Sequence, residues 1–117
     1  MEQRRLGNRS VGALGFGAMS FGGMFGPTDE ATSLACLDAA LDAGISHVDT
    51  ANIYGMGVSE QVIGRWGHPE VHIATKCGIV NGPPRTVRND EPYIRQCLEE
   101  SLRRLKREHV DLYYIHR

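Results

Sequence analysis

Three short apolar runs of this sequence each lead to a residue that can hold or move a proton. ISHVDT contains Asp49, VHIATK ends on Lys76, and VDLYYIH ends on His116. A fourth such residue, Tyr54, follows the first run in TANIYGMG. A phenol is a weak acid, with a pKa near 10 in water. An ammonium beside it favours the phenolate and lowers that value. A carboxylate keeps the ammonium charged where water is scarce, and an imidazole can hydrogen-bond a carbonyl oxygen and orient it for protonation. Together the four types suit delivery of a proton to an oxygen. No nucleophile–base pair and no metal-ligand spacing accompanies them, so the matching electron pair must come from elsewhere. Taken singly, each has a plainer reading: a turn aspartate, a solvated lysine, a packed tyrosine, a satisfied histidine. Only a shared location makes them a site.

The elements that supply that location alternate. QRRLGNRSVGAL reads as a hairpin turning at Gly7-Asn8, and ALGFGAM as a short buried strand followed by the glycine-rich loop 20–27. Pro27-Thr28-Asp29-Glu30 announces a helix, with the Thr28 hydroxyl as its cap, an apolar face of Leu34, Leu37 and Leu41, and a stop at Gly44. Strand 45–50 follows. A second helix is capped by Ser59, carries Val62, Ile63 and Trp66, and stops at Gly67. Strand 71–76 leads into a loop, 77–90, held extended by Pro83-Pro84. Asn89-Asp90 open a third helix with Ile94, Leu98, Leu102 and Leu105 on one face and Glu99–Arg103 and Glu100–Arg104 as i, i+4 pairs. Strand 110–116 completes the series. Strict strand–helix alternation with long crossovers gives an α/β fold with a parallel sheet. In such a sheet Asp49, Lys76 and His116 share the C-terminal rim, with Tyr54 on a loop at that end. In (β/α) barrels that rim is where chemistry is done.

Composition narrows the functional class. The 117 residues are 41% hydrophobic and 23% charged with a net charge of −1, which leaves no basic face for nucleic acid. No run approaches the roughly 18 apolar residues of a membrane span, and the N-terminus carries no secretory signal. Cys36, Cys77 and Cys97 form no CxxC pair and read as reduced thiols of a cytoplasmic protein.

GISHVDTANIYG, IATKCG, DLYYIHR and the opening LGFGAMSFGG resemble the signature stretches of the aldo-keto reductase family. The resemblance covers essentially the whole chain. It implies a parallel (β/α)8 TIM-type barrel, of which this chain supplies an N-terminal hairpin and the first four strands with three helices. Residues 1–117 are then the N-terminal part of a single barrel domain, because a full barrel takes about 250 residues. It further implies an NADP-dependent oxidoreductase reducing an aldehyde or ketone to an alcohol by hydride transfer from NADPH, with NADH left open. Asp49, Tyr54, Lys76 and His116 would be the catalytic four: Tyr54 the general acid, Lys76 tuning it, Asp49 anchoring Lys76, His116 orienting the carbonyl. Backbone at Ala18 and Met19, with Asp49, would lie near the nicotinamide ribose. The 117 residues by themselves are expected to be inactive, with His116 beside a frayed terminus. The substrate partner is a small carbonyl compound of unspecified structure, and oligomeric state is left open.

Two other readings compete. GFGAMS offers G-x-G-x-x-S to a Rossmann dinucleotide site, but about ten residues separate it from the next helix, whereas a pyrophosphate turn enters its helix at once. The other is a non-catalytic coenzyme-binding or subunit-type relative, or an inactive folding fragment. The intact set of four proton-handling residues argues against decay of the site.

Overall fold

Gly7 adopts φ +61°, a left-handed value that glycine accepts without strain, and lets β1 (Gln3–Leu6) fold back on β2 (Arg9–Gly12) as an antiparallel hairpin. In the computed structural model, which describes residues 1–117, the hairpin is followed by four parallel strands and three helices. They are β3 (Phe16–Gly17), α1 (Glu30–Asp42), β4 (His47–Asp49), α2 (Val58–Trp66), β5 (His72–Cys77), α3 (Glu91–Leu105) and, numbered past a small hairpin, β8 (Leu112–Ile115). The sheet order is β3-β4-β5-β8, all neighbours parallel. The expected strand–helix order therefore holds.

Register explains which residues meet. His47 lies opposite His72, Asp49 opposite Ala74, and Lys76 opposite Tyr114. Because side chains alternate across a strand, His47, Asp49, His72, Ala74, Lys76 and Tyr114 share one face. Val48 and Ile73 point to the other and join Leu37, Val62, Ile63, Val71 and Leu105 in the core beneath the helices.

Local details depart from expectation in four places. Asp29, not Thr28, caps α1: its carboxylate accepts the Thr32 backbone N–H at 2.8 Å, while the Thr28 hydroxyl pairs with Ser33. Ser59 caps nothing, since α2 starts from Gly57 without a side-chain cap and Ser59 is fully buried. The segment 77–90 is not an extended loop. It folds back as a second small hairpin, β6 (Ile79–Val80) on β7 (Thr86–Val87). On α3 the most buried line is Cys97, Ser101 and Leu105, because Arg104 turns inward to a buried partner on α2 instead of pairing with Glu100. The Glu99–Arg103 pair does form, at 3.7 Å and in full solvent exposure, where such a pair contributes a few tenths of a kcal/mol. Of the cysteines, Cys77 and Cys97 are buried and Cys36 is exposed, all three as free thiols.

Candidate active site

The four proton-handling residues converge at the C-terminal end of the sheet. Asp49 is the last residue of β4, Lys76 the penultimate residue of β5, and His116 follows β8 directly. Tyr54 sits on the turn between β4 and α2, whose backbone closes through Tyr54 N–H to the Ala51 carbonyl at 3.2 Å and Ser59 N–H to the Tyr54 carbonyl at 3.2 Å. That turn packs directly on the 3₁₀ turn Ala18–Gly22 that follows β3. A Cβ on Gly22 would stand 2.3 Å from the Gly55 nitrogen and 2.6 Å from the Tyr54 carbonyl carbon, so only glycine permits this approach.

Lys76 is the hub. Its side chain is only 14% exposed, and its ammonium donates to an Asp49 carboxylate oxygen, to the Thr50 carbonyl at 2.8 Å and to the Tyr54 hydroxyl at 3.4 Å. A buried ammonium stays charged where such oxygens replace its water. The ammonium also lies 5.1 Å from the Tyr54 ring centre and 6.0 Å from that of Tyr114. The His116 ring meets the Tyr54 ring edge-on, at 84° and 5.8 Å between centres. Burial and then the Lys76 charge push the His116 imidazole below its ordinary pKa, so it is neutral at pH 7. Its Nδ1 is buried without a hydrogen-bond partner, as is the Asn52 Oδ1, two residues before Tyr54. At the end of the chain His116 N–H bonds the Cys77 carbonyl at 2.7 Å, and Asn89 Nδ2 bonds the Arg117 carbonyl at 2.9 Å.

Ala18 and Met19 open the 3₁₀ turn beyond β3, whose Gly17 is paired with Asp49 in the sheet. Ala18 is fully buried and its carbonyl is taken by the Ser59 hydroxyl at 2.8 Å; Met19 is half-buried. The glycines of GFGAMS do not form a phosphate turn. They lead into the 3₁₀ turn, and the N-terminus of α1, well beyond, is filled by the Asp29 carboxylate.

Behind the four lies a second layer, Thr50, Ser59, Glu60 and Thr75, all fully buried; sequence reasoning passed over Thr50, Glu60 and Thr75 and read Ser59 only as a helix cap. Glu60 carried a legible signal. It falls at i−3 from Ile63 and i−4 from Gly64, on the buried side of α2, where a carboxylate demands a partner.

Comparisons with known proteins bear on the family and the fold. Residues 13–117 match the model of the aldo/keto reductase family. The NADP(+)-designated aldo-keto reductase yakc of Schizosaccharomyces pombe is 38% identical over 97% of this chain and 36% of its own length. Among solved structures, the holo form of an aldo-keto reductase from Bacillus halodurans superposes with a TM-score of 0.84 at 34% identity, over 97% of this chain and 39% of its own. An aldo-keto reductase of Klebsiella pneumoniae in complex with NADPH superposes with a TM-score of 0.72 at 26% identity, over 92% of this chain and 36% of its own. The chain thus spans 33% to 40% of the length of the curated relatives it matches. The hairpin, the four parallel strands and the three helices are those of the family's TIM-type barrel, and the chain belongs to the aldo/keto reductase family.

Proposed function

We infer that residues 1–117 are the N-terminal part of a single (β/α)8 barrel domain in a cytoplasmic oxidoreductase that reduces a small aldehyde or ketone with NADPH. One observation carries this reading: a mostly buried ammonium is shared between the Asp49 carboxylate and the Tyr54 hydroxyl, with a neutral imidazole against the same phenol ring.

Tyr54 gives its proton to the substrate oxygen. The Lys76 charge stabilises the negative charge that develops on the phenol oxygen as the proton leaves. Asp49 and the Thr50 carbonyl hold Lys76 in place. His116 presents a neutral ring to the carbonyl oxygen and aligns it with the Tyr54 hydroxyl. The set combines a phenol, an ammonium and an imidazole with an anchoring carboxylate and contains no nucleophile–base pair, so it fits a bound hydride source. The backbone at Ala18 and Met19, with Asp49, would hold the nicotinamide end, and NADPH when bound supplies the hydride.

The test is Tyr54→Phe in the natively expressed protein, assayed with NADPH and short aldehydes. The ring remains and only the acid is lost. Turnover should fall about 10²-fold or more, the scale of general acid catalysis, while coenzyme fluorescence titration is unchanged. Near-normal turnover would overturn the assignment.

A further inference from the structure

Behind the rim, two adjacent residues at the start of α2 reach the strand tips from the helix side. Ser59 is fully buried, and its hydroxyl contacts both the Ala18 carbonyl, at 2.8 Å, and the Thr50 hydroxyl, at 2.8 Å. A serine has one hydroxyl proton, and it goes to the carbonyl, which cannot donate; the Thr50 hydroxyl therefore donates to Ser59. Glu60 is also fully buried. One carboxylate oxygen accepts the Thr75 hydroxyl at 2.6 Å and the other accepts Arg104 Nε at 2.6 Å. Arg104 reaches it because α3 lies unusually close to α2: a Cβ on Gly64 would stand 2.1 Å from the Arg104 carbonyl oxygen.

Strand alternation gives these contacts their meaning. Thr75 points toward the helices, so the next residue, Lys76, points to the opposite face, where Asp49 also lies. Fixing Thr75 against a buried carboxylate therefore fixes the Cα–Cβ direction of Lys76. Thr50 acts on Lys76 by a second route. Its N–H bonds the Ala74 carbonyl at 2.9 Å, its own carbonyl accepts the Lys76 ammonium at 2.8 Å, and its hydroxyl is held by Ser59. The same two α2 residues thus tie down the end of β3, the end of β4 and the end of β5. Ser59 N–H, bonded to the Tyr54 carbonyl, adds the loop that carries the acid.

The geometry points to Ser59 and Glu60 as positioning residues that hold the Lys76 ammonium in register with Tyr54, acting through Thr50 and Thr75 without touching substrate. A carboxylate this deeply buried costs stability unless paired; Arg104 pairs one oxygen of Glu60 and leaves the other to Thr75. The catalytic meaning of the arrangement rests on the reductase reading above, but the positioning itself does not.

The test uses the natively expressed protein and two readouts. Thr75→Val keeps the side-chain shape and removes the hydroxyl; Thr75→Ser keeps the hydroxyl; Ser59→Ala removes one buried oxygen. The first readout is labelling of amines with acetic anhydride, followed by mass spectrometry. Within residues 1–117 Lys76 and the exposed Lys106 are the only lysines, so the peptide that carries Lys106 is an internal reference. Labelling of Lys76 relative to Lys106 should rise several-fold in Thr75→Val and in Ser59→Ala, with circular dichroism unchanged, and return to the parent level in Thr75→Ser. The second readout is kinetics with NADPH and a short aldehyde. In Thr75→Val and Ser59→Ala kcat should drop roughly ten- to a hundredfold with KM within about twofold, the signature of a displaced catalytic group. Parent-level Lys76 labelling in both variants overturns the positioning role. Raised labelling together with normal turnover in Tyr54→Phe leaves the positioning standing and removes the reductase reading instead.

Discussion

Both ends of the parallel sheet carry histidine, carboxylate and cation, yet they use them differently. At the N-terminal end His47 and His72 lie opposite each other in the register and share a hydrogen bond, Nδ1 to Nδ1 at 2.9 Å. Asp111 accepts the Ile73 N–H at 2.8 Å and Arg9 Nη1 at 3.1 Å. Arg9 and Arg107 continue to backbone carbonyls of Glu70, Val71 and His68. Those groups saturate one another. At the C-terminal end Lys76 is tightly bound, but His116 Nδ1 and Asn52 Oδ1 are buried with valence to spare. Burial lowers the imidazole pKa of His72 and of His116 alike, so a shifted pKa does not separate the two ends. Spare hydrogen-bonding capacity beside a charged hub does. The lower end reads as a structural lock and the upper end as a place for a reactant.

The largest effect should come from isolating residues 1–117 from the full barrel proposed above. Tyr114 and Ile115 of β8 are 41% and 49% exposed, as expected of an edge strand that lacks a neighbour. A polypeptide of residues 1–117 alone should self-associate or stay partly molten and show no measurable aldehyde reduction, by size-exclusion chromatography and NADPH fluorescence titration. A sharp monomer peak with micromolar NADPH affinity would show that the upper end is complete by itself.

Next, Lys76→Met keeps the length of the side chain and removes the hub charge. In the natively expressed protein turnover at neutral pH should fall about 10²-fold or more, with melting temperature little changed. If most of the activity survived, the ammonium would be no more functional than the charges at the lower end.

The mirror experiment is Asp111→Ala. It strands the Ile73 N–H and leaves Arg9 and Arg107 without their carboxylate, so chemical denaturation should register a loss of about 2–4 kcal/mol. Turnover per folded molecule should be unaltered. A selective loss of turnover would put catalytic work at the wrong end.

The smallest effect concerns pH. His72 is 3% exposed, and burial, the leading cause, lowers its folded pKa below the value of about 6.5 for a free imidazole. The sign follows directly: the unfolded chain binds the proton first, so this contribution to stability is present above about pH 6.5. It is lost as pH falls through the folded pKa. Asp111, which raises that pKa, and His47, Arg9 and Arg107, which lower it, set where the loss ends. Melting temperature should decline from pH 7 to pH 5, and His72→Phe should flatten that decline. An unchanged slope in the variant would clear His72 of the effect.

Much of this was legible in the chain. Alternating strand and helix patterns placed every parallel strand within a few residues, because apolar period and glycine stops are local properties. The four rim residues were found because a parallel sheet gathers its strand ends. Two of the misreadings share one cause. Ser59 looked like a helix cap, and Glu100–Arg104 like a surface pair, because local rules see only near neighbours. In the fold Ser59 is claimed by Ala18 and Thr50, and Arg104 by Glu60, partners that lie 41 and 44 residues away along the chain for the Ser59–Ala18 and Arg104–Glu60 bonds. The small hairpin over 77–90 escaped for a similar reason, since two-residue strands carry too little pattern to register.

The sequence by itself determined the α/β order, the strand tips and the identity of the groups able to move a proton, since each follows from side-chain chemistry and short-range period. Only the tertiary structure decided which charges would be spent on one another and which would be left with capacity. That depends on register between strands and on how closely α2 and α3 approach, and a buried polar group takes whatever distant partner the packing presents, because leaving it alone in a dry interior costs more than any local preference.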